Sequence, residues 1–358
     1  MTATQSGTSV SKNGDAPVVE AEGITVTFPI RQGMFKPKLK LHAVQDVSLY
    51  IQPRQAYGLV GESGSGKSTT GRALLRLVKI DSGRISVSGR DITNLSNREL
   101  RPLRRNMQMV FQDPYSSLDP SSVIADIVGE PLRVHEGLRG RARDDRVREL
   151  LRQVGLSPTY TERYPYEFSG GQRQRIAIAR AIALNPSLIV LDEAVSALDV
   201  STQNQILELL EKLRDELGVA YLFISHNLSV IRWLAERTAV MYLGRIVEEG
   251  PTERVYSEPA HPYTESLLSA VPVPDPVIQR QRRRIILQGD IPDPLHPPSG
   301  CAFRTRCHFA MDICAQVAPG HTELPGGGWV SCHLHTTEPG TRIDPVTKER
   351  VQPPLTTV

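Results

Sequence analysis

Residues 55–70 read QAYGLVGESGSGKSTT: a short apolar run, a loop with glycine at 61, 64 and 66, then Lys67, Ser68 and two threonines. The run fits G-x-x-x-x-G-K-[ST]. That chemistry works where a strand hands its last residue to a glycine-rich loop that turns directly into a helix. Glycine lets backbone N–H groups curl around phosphate oxygens, and the helix N-terminus adds favourable positive potential. Gly61, Ser63, Gly64, Ser65, Gly66, Lys67, Ser68 and Thr69 are therefore candidate nucleotide contacts. Lys67 is placed to reach the β- and γ-phosphates, and the Ser68 hydroxyl to ligate Mg²⁺. A Gly/Ser-rich loop ahead of an ordinary helix is the competing reading; the strand-loop-helix context favours the phosphate loop.

The rest of the chain supplies the α/β core that such a loop needs. QAYGLVG (55–61), SLIVLD (187–192) and VAYLFIS (219–225) are nearly continuous apolar runs, the pattern of parallel strands buried on both faces. GITVTF (23–28) alternates as a half-buried strand does, while RQGMFKPKLKL (31–41) is basic and broken by Gly and Pro, the mark of an exposed loop. In STQNQILELLEKLRDELG the residues Ile206, Leu209, Leu210, Leu213 and Leu217 share one helical face, and Gly218 stands where the helix should stop. Between about 113 and 165 the alternation lapses. There DDRVRELLRQVG aligns Val147, Leu150, Leu151 and Val154 before Gly155, predicting a mostly helical insertion. AVMYLGRIVEEG predicts a strand pair turning at Leu243, Gly244 and Arg245. Proline then becomes frequent, which puts a boundary near residue 251. The expected organisation is a disordered start over 1–16, a nucleotide-binding domain over 17–250, an extension over 251–338 and a disordered tail over 339–358.

Charge and composition exclude several classes. Forty-two Lys and Arg against 39 Asp and Glu leave a net charge of +3, too little for a charge-driven polyanion partner. The run RQRRR (280–284) reads as a solvated linker rather than a nucleic-acid or lipid patch. The first residues hold no apolar signal-peptide core, and no run of 18 apolar residues occurs, so the expectation is a cytosolic chain that does not span the membrane.

Two further motifs carry chemistry. SLIVLDE brings Asp192 to the end of a buried strand, where it can hold the metal through water. Glu193 follows, placed to orient and deprotonate the water that attacks the γ-phosphate. FSGGQRQRIAIARA (168–181) sets Ser169, Gly170, Gly171 and Gln172 at the start of a helix, a second candidate anion site, although SGGQ taken alone is more often a helix cap.

Taken in order, these motifs resemble ATP-binding cassette (ABC) proteins, and SGGQ resembles the signature motif of that family. The resemblance implies a head-to-tail dimer in which this signature closes on ATP held by the opposite subunit. It implies that Gln112 in MVFQDPY contacts Mg²⁺ and attacking water at the hinge to the insertion, and that Asp199 in SALD communicates between the paired sites. It also implies that His226 in FISHN contacts the γ-phosphate. Phe28, Phe35 and His42 are the candidates for stacking on adenine. RYPYEFSGGQRQRIAIARA, YLFISHNLSVIR and HPYTESLLSAVPVPDP narrow the likeness to the ATP-binding subunit of a dipeptide/oligopeptide importer, most like the second ATPase of its pair. The implied partners are a second ABC ATPase subunit, two membrane permeases and an external peptide-binding protein. The implied place is the cytoplasmic face of the membrane, with no nucleic acid expected. Ala194, Asn227 and PRQA (53–56) depart from the family pattern, yet none removes a phosphate, metal or base residue. A soluble ABC ATPase acting on nucleic acid or ribosomes is the alternative.

All four cysteines fall late, as C-x5-C-x6-C-x17-C at Cys301, Cys307, Cys314 and Cys332. A small Pro-rich extension buries little core of its own, so a metal staple is expected. Zinc usually asks for close Cys-x-x-Cys pairs, which are missing. The resemblance implies a [4Fe–4S] cluster instead, with Zn²⁺, or thiols without metal, as the alternatives.

Overall fold

The computed structural model describes residues 16–30, 39–113, 117–272, 280 and 284–335, and the backbone of two short strands at 342–343 and 350–351. Each continuous apolar run is a strand. β3 (Ala56–Val60), β6 (Met107–Val110), β7 (Leu188–Asp192), β8 (Ala220–Ser225) and β9 (Arg237–Tyr242) lie parallel in the order β9-β3-β8-β7-β6. Side chains alternate between the faces of a strand, and each face here has its own core. Leu188 and Val190 of β7 join a cluster with Ile24, Val47 and Leu74, whereas Ile189 and Leu191 join Ile176, Leu210 and Val147 on the other side. A strand serving two cores has no polar face, which is why these runs are apolar throughout.

The first core is closed by an antiparallel sheet of β1 (Val19–Ile30), β2 (Leu39–Ile51), β4 (Ser82–Val87) and β5 (Arg90–Asp91), in the order β2-β1-β4-β5. β2 opens with Leu39–Leu41, the end of the stretch expected as a loop. Its pairing Ile30↔Leu39 with β1 decides the matter, and residues 31–38 lie outside the described residues. Helices α1 (Lys67–Leu74) and α2 (Asn97–Leu103) add Leu74 and Leu100 to the first core, and α3 (Ile124–Pro131), α4 (Gly140–Gln153), α5 (Gly170–Ile182), α6 (Val200–Leu217) and α7 (Leu228–Leu234) cover the second. α6 buries Ile206, Leu209, Leu210 and Leu213, and Gly218 ends it in the left-handed region (φ 68°) that glycine favours. Among the described residues from 117 to 165 there is no strand.

Past residue 251 the chain does not leave the cassette. β10 (Arg245–Pro251) pairs antiparallel with β9 and is followed by α8 (Thr252–Ser257) and α9 (Pro262–Ser269). After α10 (Ile313–Gln316) come β11 (Thr322–Glu323) and β12 (Trp329–Val330), which extend the main sheet to eight strands through Glu248↔Val330. Val255, Tyr263, Leu268 and Phe303 lie in the cassette's own second core. The extension was expected to need a staple because it buries little by itself; it packs instead onto core and sheet edge already present.

Candidate nucleotide-binding site

The loops after β3, β6, β7 and β8 all leave the carboxyl edge of the parallel strands, where open α/β sheets bind ligands. The loop after β3 is shaped by its glycines. Gly66 has φ 106°, and a Cβ there would stand 2.2 Å from the Ala43 carbonyl oxygen, so no side chain fits. Lys67 begins α1 and is 4% exposed; its Nζ donates to the carbonyls of Gly61 and Glu62, each at 2.8 Å. Burial pulls its ammonium below the ordinary lysine range, against the opposing pull of Glu193, Asp192 and Glu62.

Ser68 Oγ donates to Asp192 Oδ1 at 2.7 Å. Asp192 is 1% exposed, and burial raises its carboxyl above the usual range, countered by the Ser68 hydrogen bond and by Arg72 at 3.8 Å. Glu193, next along, is gripped on both oxygens: Gln112 Nε2 donates to Oε2 at 2.9 Å, and His226 Nδ1 lies 3.3 Å from Oε1. Its backbone sits at φ 48°, a left-handed conformation that costs on the order of 1–3 kcal/mol and recurs where geometry is held for function. Its N–H bonds the Ile224 carbonyl at 2.9 Å. Three loops, after β6, β7 and β8, thus bring Gln112, Glu193 and His226 to one carboxylate.

A cleft of about 470 Å³ opens over these groups, lined by Lys67, Ser68, Gln112 and Glu193 and also by Phe28 and His42. Phe28 is 37% exposed and not part of the core. Phe35 lies outside the described residues. Pro294, from the extension, also lines the cleft, and nothing in its Pro-rich context signalled that. Arg72 beside Asp192 was equally silent in the sequence.

The signature residues stand elsewhere. Ser169 caps α5, accepting from Gln172 N at 3.3 Å while Gln172 Oε1 accepts from Ser169 N at 3.0 Å. A Cβ on Gly171 would meet Thr202 Cγ2 at 2.4 Å, so close packing of α5 on α6 already demands glycine there. Asp199 caps α6 through Thr202 N at 2.9 Å, and the Ser201 and Thr202 donors hold its carboxyl far below the usual range. Ser169, Gly170, Gly171, Gln172 and Asp199 are not among the residues lining the Lys67 cleft. Asn227 and Ala194 are accommodated, the first as the cap of α7 and the second buried. Of RQRRR, Arg280 and Arg284 are described and exposed; residues 281–283 lie outside the described set.

Cys301, Cys307, Cys314 and Cys332 converge on one cavity with Phe309 and Met311, and no disulfide links them. Burial pushes the Cys332 thiol up to about 12 and raises Cys301 as well. The space between them is about 10 Å³ for the centre of a water-sized sphere, enough for a single water. Among the described residues no three His, Cys, Asp or Glu side chains are arranged to hold a metal ion. The expected [4Fe–4S] or Zn²⁺ site is therefore not supported by this arrangement, in which the four thiols share a pocket with the apolar side chains of Phe309 and Met311.

Phosphate loop, buried strand-end aspartate and clamped glutamate define a P-loop nucleotide hydrolase. Comparison with known proteins narrows the class. A family model described as ABC transporter matches residues 44–196, and one described as oligopeptide/dipeptide transporter, C-terminal region, matches residues 247–314. A probable peptide ABC transporter ATP-binding protein of Sinorhizobium fredii is 50% identical over 92% of this chain and 93% of its own. The oligopeptide transport ATP-binding protein AppF of Bacillus subtilis is 48% identical over 89% and 98%. Among solved structures, the ATP-binding cassette MJ0796, a dimer in a post-hydrolysis state with ADP and phosphate, matches 65% of this chain and 98% of its own with TM-score 0.59 and 30% identity. The chain belongs to the ABC transporter ATP-binding proteins of the oligopeptide/dipeptide type, and it is an ATPase. Among the described residues no helix is long and apolar enough to cross a membrane.

Proposed function

We propose that this chain powers the import of di- and oligopeptides across the cytoplasmic membrane, bound at the cytoplasmic face to two permeases that an external peptide-binding protein supplies. The observation that carries it is the Glu193 carboxylate, held between Gln112 and His226 beside Lys67 and Ser68, in a chain similar over nine-tenths of its length to peptide-transport ATPases. Ser63, Gly64, Gly66, Lys67 and Thr69, which line the cleft, cradle the phosphates together with Gly61 and Ser65 of the same loop, and Phe28 or His42 meets the adenine. Ser68 and Gln112, with Asp192 behind, would hold Mg²⁺, which when bound neutralises charge on the phosphates. Glu193 takes the proton of the attacking water, and Gln112 and His226 hold the carboxylate in line.

One cassette offers one phosphate loop and one signature, and the two do not share a cleft within this chain. A second cassette, read here as a paralogue, supplies the missing half, with Asp199 near the junction of the two sites. A Ser169→Arg chain is then expected to impair hydrolysis at the partner's site while ATP affinity at its own Lys67 stays within about twofold; nucleotide titration of the isolated chain checks this. Loss of binding at Lys67 would contradict the sandwich. The groove of about 430 Å³ between β6 and α3, floored by Val110 and Leu118 and edged by Phe111 and Val134, is the proposed seat of a permease helix.

The finer reading of the cysteines as a cluster site depends on the thiols re-spacing around a metal. Anaerobically purified protein decides it: bound iron with broad visible absorption near ~400 nm supports a cluster. One zinc per colourless chain, or no metal in a protease-resistant extension, rejects it.

A further inference from the structure

The extension touches the phosphate loop at a point the sequence does not announce. Glu62, the residue after the loop's first glycine, is held by three groups. Its carboxylate accepts from both ends of the Arg306 fork, Nη1 to Oε2 at 2.7 Å and Nη2 to Oε1 at 3.0 Å. Its N–H donates to Tyr263 Oη at 2.9 Å, and its carbonyl accepts from Lys67 Nζ at 2.8 Å. The Arg306 side chain is 7% exposed, against 27% for Glu62. Its guanidinium carbon lies 5.9 Å from the Tyr242 ring centroid, and Tyr242 packs on Tyr263 and Phe303 at 4.7 and 5.2 Å. A cation lodged this deeply on an aromatic platform, with both oxygens of one carboxylate engaged, is a built contact and not a drifting surface pair.

We infer that Arg306 is a positioning residue for nucleotide binding: it fixes Glu62 and neutralises a carboxylate that would otherwise stand unpaired beside Lys67. This rests on the nucleotide-site reading above. The sign of the effect follows from charge. Glu62 already acts electrostatically on Lys67. Deprived of Arg306, its carboxylate would compete with phosphate for the Lys67 ammonium and repel the polyphosphate itself. A contact that only anchored the extension would have no such dependence on the charge of Glu62. Arg306 is also the residue before Cys307 and five after Cys301, so the thiol pocket and the phosphate loop share one short loop of chain.

The experiment is a titration of the full-length chain with MgATP across four proteins: wild type, Arg306→Ala, Glu62→Gln and the double variant. The charge argument predicts affinity lower on the order of tenfold in Arg306→Ala, near wild type in Glu62→Gln, and restored to within about twofold in the double variant. In the assembled transporter the Arg306→Ala loss should appear in KM rather than kcat. Arg306→Lys, which keeps the charge without the fork, should bind within about threefold of wild type and serves if Arg306→Ala does not fold. Weak binding in the double variant as in Arg306→Ala would mean mere anchoring and would overturn the inference, as would undiminished affinity in Arg306→Ala. A wild-type chain that fails to bind MgATP would defeat the site reading itself, a different outcome.

Discussion

Replacing Glu193 with glutamine is expected to lower ATP turnover by a factor on the order of 10² or more while leaving ATP affinity almost unchanged. The amide keeps the size of the carboxylate and one acceptor oxygen, so Gln112 can still donate to it, and Lys67 and Ser68 are untouched. What is lost is basicity. On the two-cassette reading proposed above, ATP that binds and does not react keeps the cassettes closed on each other, so the variant mixed with its partner cassette should accumulate as a closed dimer in MgATP, visible by size-exclusion chromatography. Turnover near the wild-type rate would transfer the proton to another group, with His226, 3.3 Å from the same carboxylate, next in line.

Glu248→Ala should cause the largest loss of stability, about 3–5 kcal/mol. The Glu248 side chain is fully buried. It accepts from the Arg254 guanidinium and from the N–H groups of Ala260 at 3.0 Å and His261 at 2.8 Å. Truncation leaves a cation that is 8% exposed and two buried backbone donors without their acceptor. The damage should be directional. Glu248 joins β10 to the start of α9, which carries Tyr263 to the phosphate loop, and residue 248 is also where β12 pairs onto the sheet. A lower denaturation midpoint and early proteolysis beyond residue 251 are expected. Glu248→Gln, which retains one acceptor, should fall between. A loss under about 1 kcal/mol would show that core packing alone holds the extension.

The parallel strands were legible because burial on both faces leaves a mark that periodicity can read, and α6 because Ile206 to Leu213 repeat at helical spacing up to Gly218. The candidate cluster was legible for another reason: Asp192 ends a strand, Glu193 follows it, and Lys67 follows the glycine loop after β3, so local pattern points all three to one sheet edge. The roles of Gln112, Asp199 and His226 came only through family likeness. Local pattern could not show how distant segments meet. Leu39–Leu41 looked like loop because their strand partner is a neighbouring strand rather than a core. The extension looked unsupported because its support, Phe303 against Tyr242 and Val330 against Glu248, comes from residues 61 and 82 positions away along the chain. The late grouping of the four cysteines was legible in the sequence, but it says nothing of the apolar side chains, Phe309 and Met311 among them, with which the thiols share their pocket.

The central claim is that ATP spent at this site moves peptide. The most direct measurement places the chain with its partner cassette and permeases in proteoliposomes, adds the binding protein and a mixed library of short peptides, and identifies by mass spectrometry what accumulates across the bilayer. The account predicts accumulation of peptides only with MgATP, abolished when Glu193→Gln replaces the wild-type chain. ATP hydrolysis by the intact assembly with no peptide moved, or accumulation that persists in the Glu193→Gln assembly, would contradict it.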